Sequence, residues 1–105
     1  MLPLQIHLTL PPWIGDVADE SRAYRTDEDK VGLAIELSNH NVERSHGGPF
    51  GAAVFNETGR LISVGVNRVV PQTCSVAHAE MMAYMTAQQR LAAFRLNEQI
   101  GRAHV

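Results

Sequence analysis

The chain has 105 residues, which is enough for one small domain but not for two. Hydrophobic residues make up 45% of it, the ordinary level for a globular protein, so the composition excludes a chain that is disordered throughout. The formal net charge of −2 disfavours a nucleic-acid-binding protein, because such proteins usually carry a basic excess.

The only cysteine is Cys74, which excludes a disulfide within one chain and favours a reducing compartment. The first ten residues are fairly apolar, but they contain Pro3 and polar residues, lack a basic leader and run into Pro11 and Pro12. We therefore expect no signal peptide, no membrane span and a cytoplasmic protein.

Residues 1–25 are broken by prolines and a glycine, which predicts an irregular segment with Trp13 packed on the domain surface. Thr26 and the three acidic residues after it predict the start of a first helix, which ends near Arg44. Its buried face is predicted from residues at helical spacing, namely Val31, Leu33, Ala34, Ile35, Leu37, Ser38 and Val42.

Two short apolar runs, 50–55 and 61–66, predict strands, and the turn-forming residues 56–59 join them into a hairpin. Ser75 predicts the cap of a second helix from about residue 76 to 93. Its core-facing residues are predicted to be Met81, Met82 and Met85, in line with His78. A turn at Gly101 and a third strand over 102–105 follow, which gives a layered α/β fold.

His78 and Glu80 lie in the first turn of this predicted second helix. Side chains two positions apart on a helix diverge, so one site uses both only if it lies off the amino-terminal end. That end carries free amides and positive partial charge, which favour a neutral, metal-binding imidazole and an ionised carboxylate. The spacing alone is common in helices, and only its context makes it informative.

The context resembles the cytidine and deoxycytidylate deaminase superfamily. The residues that carry the resemblance are Gly-Gly-Pro-Phe-Gly-Ala-Ala-Val at 47–54, Gly-Val-Asn-Arg at 65–68 and Ala-His-Ala-Glu at 77–80. Within that superfamily the likeness is to bacterial guanine deaminases and transfer-RNA adenosine deaminases. Leu-Pro-Pro at 10–12 and Asn-Arg-Val-Val-Pro at 67–71 look especially like guanine deaminases.

The resemblance implies a three-layer α/β/α sandwich, and an enzyme that hydrolyses an exocyclic amine from a purine base and releases ammonia. The family pattern joins His-x-Glu to a later Pro-Cys-x-x-Cys around a zinc ion. At the matching positions, the resemblance implies that His78 binds zinc and that Glu80 is the general acid/base. It also implies that Asn67 hydrogen-bonds the base and that Phe50 lines the pocket.

Pro-Cys-x-x-Cys is absent from the chain. We therefore expect a domain truncated after helix, hairpin and helix, with 1–25 as a leading segment and 26–105 as a partial domain without the cysteine half. Because a catalytic zinc site needs three protein ligands, we expect the chain alone to bind zinc weakly or not at all and to be inactive. Cys74 is a further candidate ligand, although an ordinary loop role is expected for it.

Guanine is the expected substrate of the parent enzyme. Deamination of adenosine in transfer RNA is the alternative, which the net charge and the Leu-Pro-Pro segment disfavour. A second alternative is a non-catalytic subunit that forms a homodimer or joins a full-length deaminase, because an unpaired hairpin edge and a methionine-rich helix face favour association. A third is a gene product without function.

Overall fold

The computed structural model describes residues 1–92 and the backbone of residues 102–104. Its elements are α1 (Ile14–Val17), α2 (Asp27–Ser45), β1 (Gly51–Phe55), β2 (Leu61–Val66), α3 (Ala79–Leu91) and β3 (Arg102–His104). The predicted hairpin and third strand are confirmed, while Val105 and the turn predicted at Gly101 lie outside the described residues. Within the described residues, no helix has the length and apolarity that a membrane crossing requires.

The three strands form one antiparallel sheet in the order β2-β1-β3. Gly51 pairs with Val66 and the next residue pairs with Gly65, so the two pairs present opposite faces of the sheet. A Cβ on Gly51 would lie 2.9 Å from the Cβ of Leu37 in α2, whereas a Cβ on Gly65 would run into the backbone of α3 at Ala79. The two helices therefore cover opposite faces, and the predicted α/β/α layering is confirmed.

Each face of the sheet carries its own core. On the α2 side, the buried residues are Trp13, Tyr24, Leu33, Leu37, Ala53, Phe55, Leu61, Val64 and Val66. On the α3 side they are smaller, namely Ala52, Val54, Ala79, Ala83 and Ala87. The small side chains on the second face let α3 lie close to the sheet, which brings the start of that helix near the end of β2.

Helix α2 begins as predicted. Thr26 is its N-cap, and its hydroxyl oxygen accepts a hydrogen bond from the Asp29 amide at 3.1 Å. The predicted buried face is partly wrong, because Val31, Ile35 and Val42 are 43%, 54% and 46% exposed. A single helix face against one sheet buries only a stripe at i, i+3, i+4 spacing, here Lys30, Leu33, Ala34, Leu37 and Asn41.

Helix α3 begins later than the sequence predicts. Its N-cap is His78 rather than Ser75, and no side chain caps it. The Arg68 amide donates a hydrogen bond to the Ala77 carbonyl at 2.8 Å, which holds the end of the preceding loop against the end of β2. The helix therefore begins only after this contact. The predicted methionine face is also partly wrong, since Met82 is buried but Met81 is 45% exposed.

The leading segment has no helix or strand over residues 1–11 but is partly regular after them. It contains the four-residue helix α1, and Trp13 and Tyr24 are only 8% and 2% exposed. The indole Nε1 of Trp13 donates a hydrogen bond to the Ser45 hydroxyl at 2.7 Å. Trp13 thus belongs to the core on the α2 side, which corrects the predicted surface position.

Candidate active site at one edge of the sheet

Four elements meet at one edge of the sheet, because α2 ends there, β1 begins there, β2 ends there and α3 begins there. Gly51 opens β1 and pairs with Val66, the last residue of β2. The residues just outside this pair, Phe50 and Asn67, therefore lie at the same end of the hairpin. The Asn67 amide donates to the Phe50 carbonyl at 3.4 Å, which continues the strand pairing by one step.

The loop from β2 to α3 returns to this same edge. The Arg68 amide donates to the carbonyl of Ala77, so the residue after Asn67 is joined to the residue before His78. The Arg68 side chain turns the other way, and its Nε donates to the Thr9 carbonyl at 2.9 Å. Partial burial lowers the pKa of this guanidinium. The loop geometry thus brings the segments of Asn67 and His78 together.

His78 and Glu80 both lie at the amino-terminal end of α3. His78 has an extended backbone (φ −71°, ψ 158°) as the N-cap, and Glu80 is in the first turn. Both residues are exposed. This is the arrangement in which two side chains that diverge along a helix can still serve one site off its end, next to free backbone amides and their positive partial charge.

A glycine in β2 permits this helix start to lie against the sheet. A Cβ on Gly65 would overlap the carbonyl oxygen of Ala79 and lie 2.6 Å from the amide nitrogen of Ala83. Any larger residue would push the first turn of α3 away. The position of His78 and Glu80 relative to the end of β2 therefore depends on Gly65.

Phe50 lies on the α2 side of this edge. The residue is 56% exposed and lines an open groove of about 170 Å³, together with Val31, Ala34, Ile35, Ser38, Pro49 and Gly51. A Cβ on Gly48 would lie 3.2 Å from the Phe50 ring and 3.6 Å from the Asn67 side chain, so both groups flank the same glycine. Asn67 is half-buried, and its Oδ1 accepts a hydrogen bond from the Val69 amide at 3.2 Å.

Residues 24–100, most of the chain, match the model of the cytidine and deoxycytidylate deaminase zinc-binding region. The chain belongs to this deaminase family. The match takes in the whole of the described edge, from α2 to α3. No curated protein matches the chain by sequence.

Several solved structures of deaminases are similar to the chain. A guanine deaminase from Nitrosomonas europaea is 39% identical, with a TM-score of 0.81 over 91% of this chain and 53% of that protein. A structure in complex with 2,6-diaminopurine is 41% identical, with a TM-score of 0.77 over 86% of this chain and 48% of that one.

A transfer-RNA A34 deaminase, which edits adenosine to inosine at the wobble position, is similar to a lesser degree. It is 29% identical, with a TM-score of 0.57 over 63% of this chain and 49% of that protein. The chain spans about half the length of each of these three structures. It matches guanine deaminase more closely than transfer-RNA deaminase in identity, coverage and TM-score.

The zinc-binding family name raises the question of whether this chain's residues fit a zinc ion. Among the described residues, no three His, Cys, Asp or Glu side chains lie together in a way that would hold a metal. His78 is exposed at the helix end, and Cys74 is half-buried in the preceding loop. A catalytic zinc requires three protein ligands, so the described part of the chain does not by itself fit the ion.

One residue at this edge, Asn41, was not predicted from the sequence. Asn41 in α2 is fully buried, and its Nδ2 donates to the carbonyls of Gly48 and Asn67, each at 3.0 Å. The helical period indicates that Asn41 is buried, though not which groups it contacts, because it follows the core residue Leu37 by four positions. Polar residues in such a stripe are usually buried with a specific partner.

Proposed function

We propose that this chain supplies the amino-terminal half of the active site of a hydrolase that deaminates a purine base, with guanine as the preferred substrate. The observation that carries the proposal is the shared sheet edge, where His78 and Glu80 open α3 beside the segment that holds Asn67 and Phe50. Family membership and the similarity to guanine deaminase support the reaction class. A similar structure holds 2,6-diaminopurine, which supports a purine ligand.

The proposed roles follow from the position of each group. Glu80, exposed at a helix amino terminus, takes a proton from water as the water adds to the ring and returns one to the departing amine. Asn67 uses its Oδ1 within its own loop, so its amide nitrogen remains to donate to an acceptor on the base. Phe50 offers an exposed aromatic ring at the same end of the hairpin as Asn67, against which a flat base can stack.

His78 is proposed as one zinc ligand. The described residues do not supply three ligands together, so we propose that the missing ones come from further chain or from a partner deaminase subunit. Cys74 is the only cysteine that this chain itself could add. We therefore propose that the 105-residue chain alone holds zinc weakly or not at all and does not release ammonia. The same single cysteine supports a reducing, cytoplasmic location.

Zinc content per purified chain tests this proposal first, together with ammonia release from guanine. We expect less than one tightly held zinc per chain, and no ammonia. About one zinc that resists dialysis and is lost in His78→Ala would instead mean that the chain completes a site itself. His40→Ala is the matched control, because His40 lies on α2 beside Trp13 and away from the start of α3.

A non-catalytic subunit is the second candidate function. The exposed apolar residues of α2, Val31, Ile35 and Val42, favour it because they leave an unpartnered stripe beside the Phe50 groove. Sedimentation of the purified chain separates the two. A well-behaved monomer counts against the subunit proposal, whereas a homodimer or a stable complex with a full-length deaminase supports it.

A further inference from the structure

We propose that Asn41 is a positioning residue that holds Phe50 and Asn67 in register for the base, an inference that rests on the roles proposed for those two residues. Asn41 is a polar side chain that is completely buried, with 0% of it exposed. It lies on α2, whereas the two residues that it serves belong to the hairpin ends. One side chain therefore ties a helix to both sides of the proposed base-binding site.

The contacts form a closed ring. Asn41 Nδ2 donates to the carbonyl of Gly48 and to the carbonyl of Asn67. The Gly48 carbonyl also accepts from the Phe50 amide at 2.8 Å, and the Phe50 carbonyl accepts from the Asn67 amide at 3.4 Å. A displacement of either Phe50 or Asn67 would stretch a hydrogen bond to Asn41 or to its neighbour in the ring.

The chemistry of the amide fits this role better than it fits plain packing. Two carbonyl oxygens face the same end of the side chain, so that end must be the nitrogen, which has two hydrogens to give. The other end, Oδ1, is buried with no partner among the described residues. An apolar side chain of this size would leave the Gly48 and Asn67 carbonyls without this donor, so the amide is needed to hold both of them in place.

Gly47 encloses this junction. A Cβ on Gly47 would lie 2.5 Å from Asn41 Nδ2 and 2.8 Å from the Asn67 carbonyl oxygen. Only glycine allows the loop to pass this close to the Asn41–Asn67 hydrogen bond. The loop thereby keeps solvent away from the bond, and a buried hydrogen bond holds its geometry better than one that competes with water.

The test compares Asn41→Leu, which keeps the size of the side chain but has no donor, with Asn39→Leu on the exposed side of the same helix. Residual dipolar couplings of the backbone amides report the orientation of Phe50 and Asn67. We expect these two couplings to change in Asn41→Leu while those of the central strand pairs stay as in the wild type. Unchanged couplings at Phe50 and Asn67, or equal changes across the whole domain, would overturn the proposal.

Affinity for 2,6-diaminopurine, the purine held by one of the similar structures, is the second readout and is measured by nuclear magnetic resonance titration. We expect about a tenfold loss in Asn41→Leu and no loss in Asn39→Leu, because one net hydrogen bond is worth about that factor. Full affinity in Asn41→Leu would overturn the positioning role. If the wild type and Asn67→Ala both fail to bind, the proposed base-binding role fails, and the couplings still decide the role of Asn41.

Should Asn41→Leu not fold, Asn41→Ser provides the same two measurements with a single hydroxyl donor in place of the amide. Scalar couplings across the hydrogen bonds in the wild type give a direct check, since Asn41 Nδ2 must couple to the carbonyl carbons of both Gly48 and Asn67. Coupling to neither carbonyl would overturn the proposal without any substitution.

Discussion

Gly65→Ala is the substitution that tests most directly how the helix start is placed. The new Cβ would overlap the Ala79 carbonyl oxygen and lie 2.6 Å from the Ala83 amide nitrogen. Both obstacles are backbone atoms of α3, so no side chain can rotate away and the helix must move. Overpacking of this kind costs about 1–3 kcal/mol, whereas alanine recovers roughly 0.5–1 kcal/mol of backbone entropy. We expect a net loss of roughly 1–2 kcal/mol in the free energy of unfolding.

Gly32→Ala is the matched control, because Gly32 lies inside α2 and a Cβ there would meet no atom within 4 Å. It should raise the free energy of unfolding by about 0.5–1 kcal/mol. Urea unfolding followed by far-ultraviolet circular dichroism measures both variants, and amide chemical shifts of Ala79 and Ala83 report the displacement of α3. A Gly65→Ala protein as stable as the wild type, with unchanged shifts in α3, would refute the close-approach argument.

Three other predictions follow from local contacts. Thr26→Ala should lower the free energy of unfolding in urea by about 1 kcal/mol, because it removes the cap of α2. Ser75→Ala should change that free energy little, because Ser75 caps no helix. Equal losses in the two variants would contradict the observed start of α3. Trp13→Phe should lower the free energy of unfolding by about 1 kcal/mol or more, because it removes the hydrogen bond from the indole to Ser45. If Trp13→Phe destabilises the protein and Ser45→Ala does not, the loss does not come from that hydrogen bond. Hydrogen bonds from Ser21 lower the pKa of the Asp19 carboxyl. The stability that this turn adds is therefore present above the ordinary carboxyl pKa and is lost as the pH falls through the lowered pKa. A carboxyl titration by nuclear magnetic resonance that shows an ordinary or raised pKa for Asp19 would contradict the geometry.

The candidate site was partly readable from sequence. The spacing of His78 and Glu80 predicted two groups at a helix start, whereas Phe50 and Asn67 were expected at the site only from the family resemblance. That these two residues lie at the same end of the hairpin came from the structure. The junction at Asn41 was not readable, because it joins residues 26 positions apart through a side chain and two loop carbonyls. Nothing in the local pattern around Asn41 names its partners.

The start of α3 shows why a local rule can fail. Ser75 is a good capping residue in isolation, but the loop is closed by the backbone bond between Arg68 and Ala77, so the chain becomes helical only after His78. Likewise, Val31 and Ile35 fit the helical period but lie beyond the stripe that one sheet face can cover. In both cases a contact with a distant part of the chain outweighed a local preference.

By itself, the sequence determined the order of the two longer helices and the three strands, the cap at Thr26, the hairpin and the family. These depend on short-range periodicity, on turn chemistry and on a motif, all of which act over a few neighbouring residues. Only the tertiary structure decided which helix stripe is buried, that Trp13 joins the core, and that Asn41 links α2 to Phe50 and Asn67. Those outcomes depend on contacts between residues far apart in the sequence. Such contacts form only when the helices pack on the sheet.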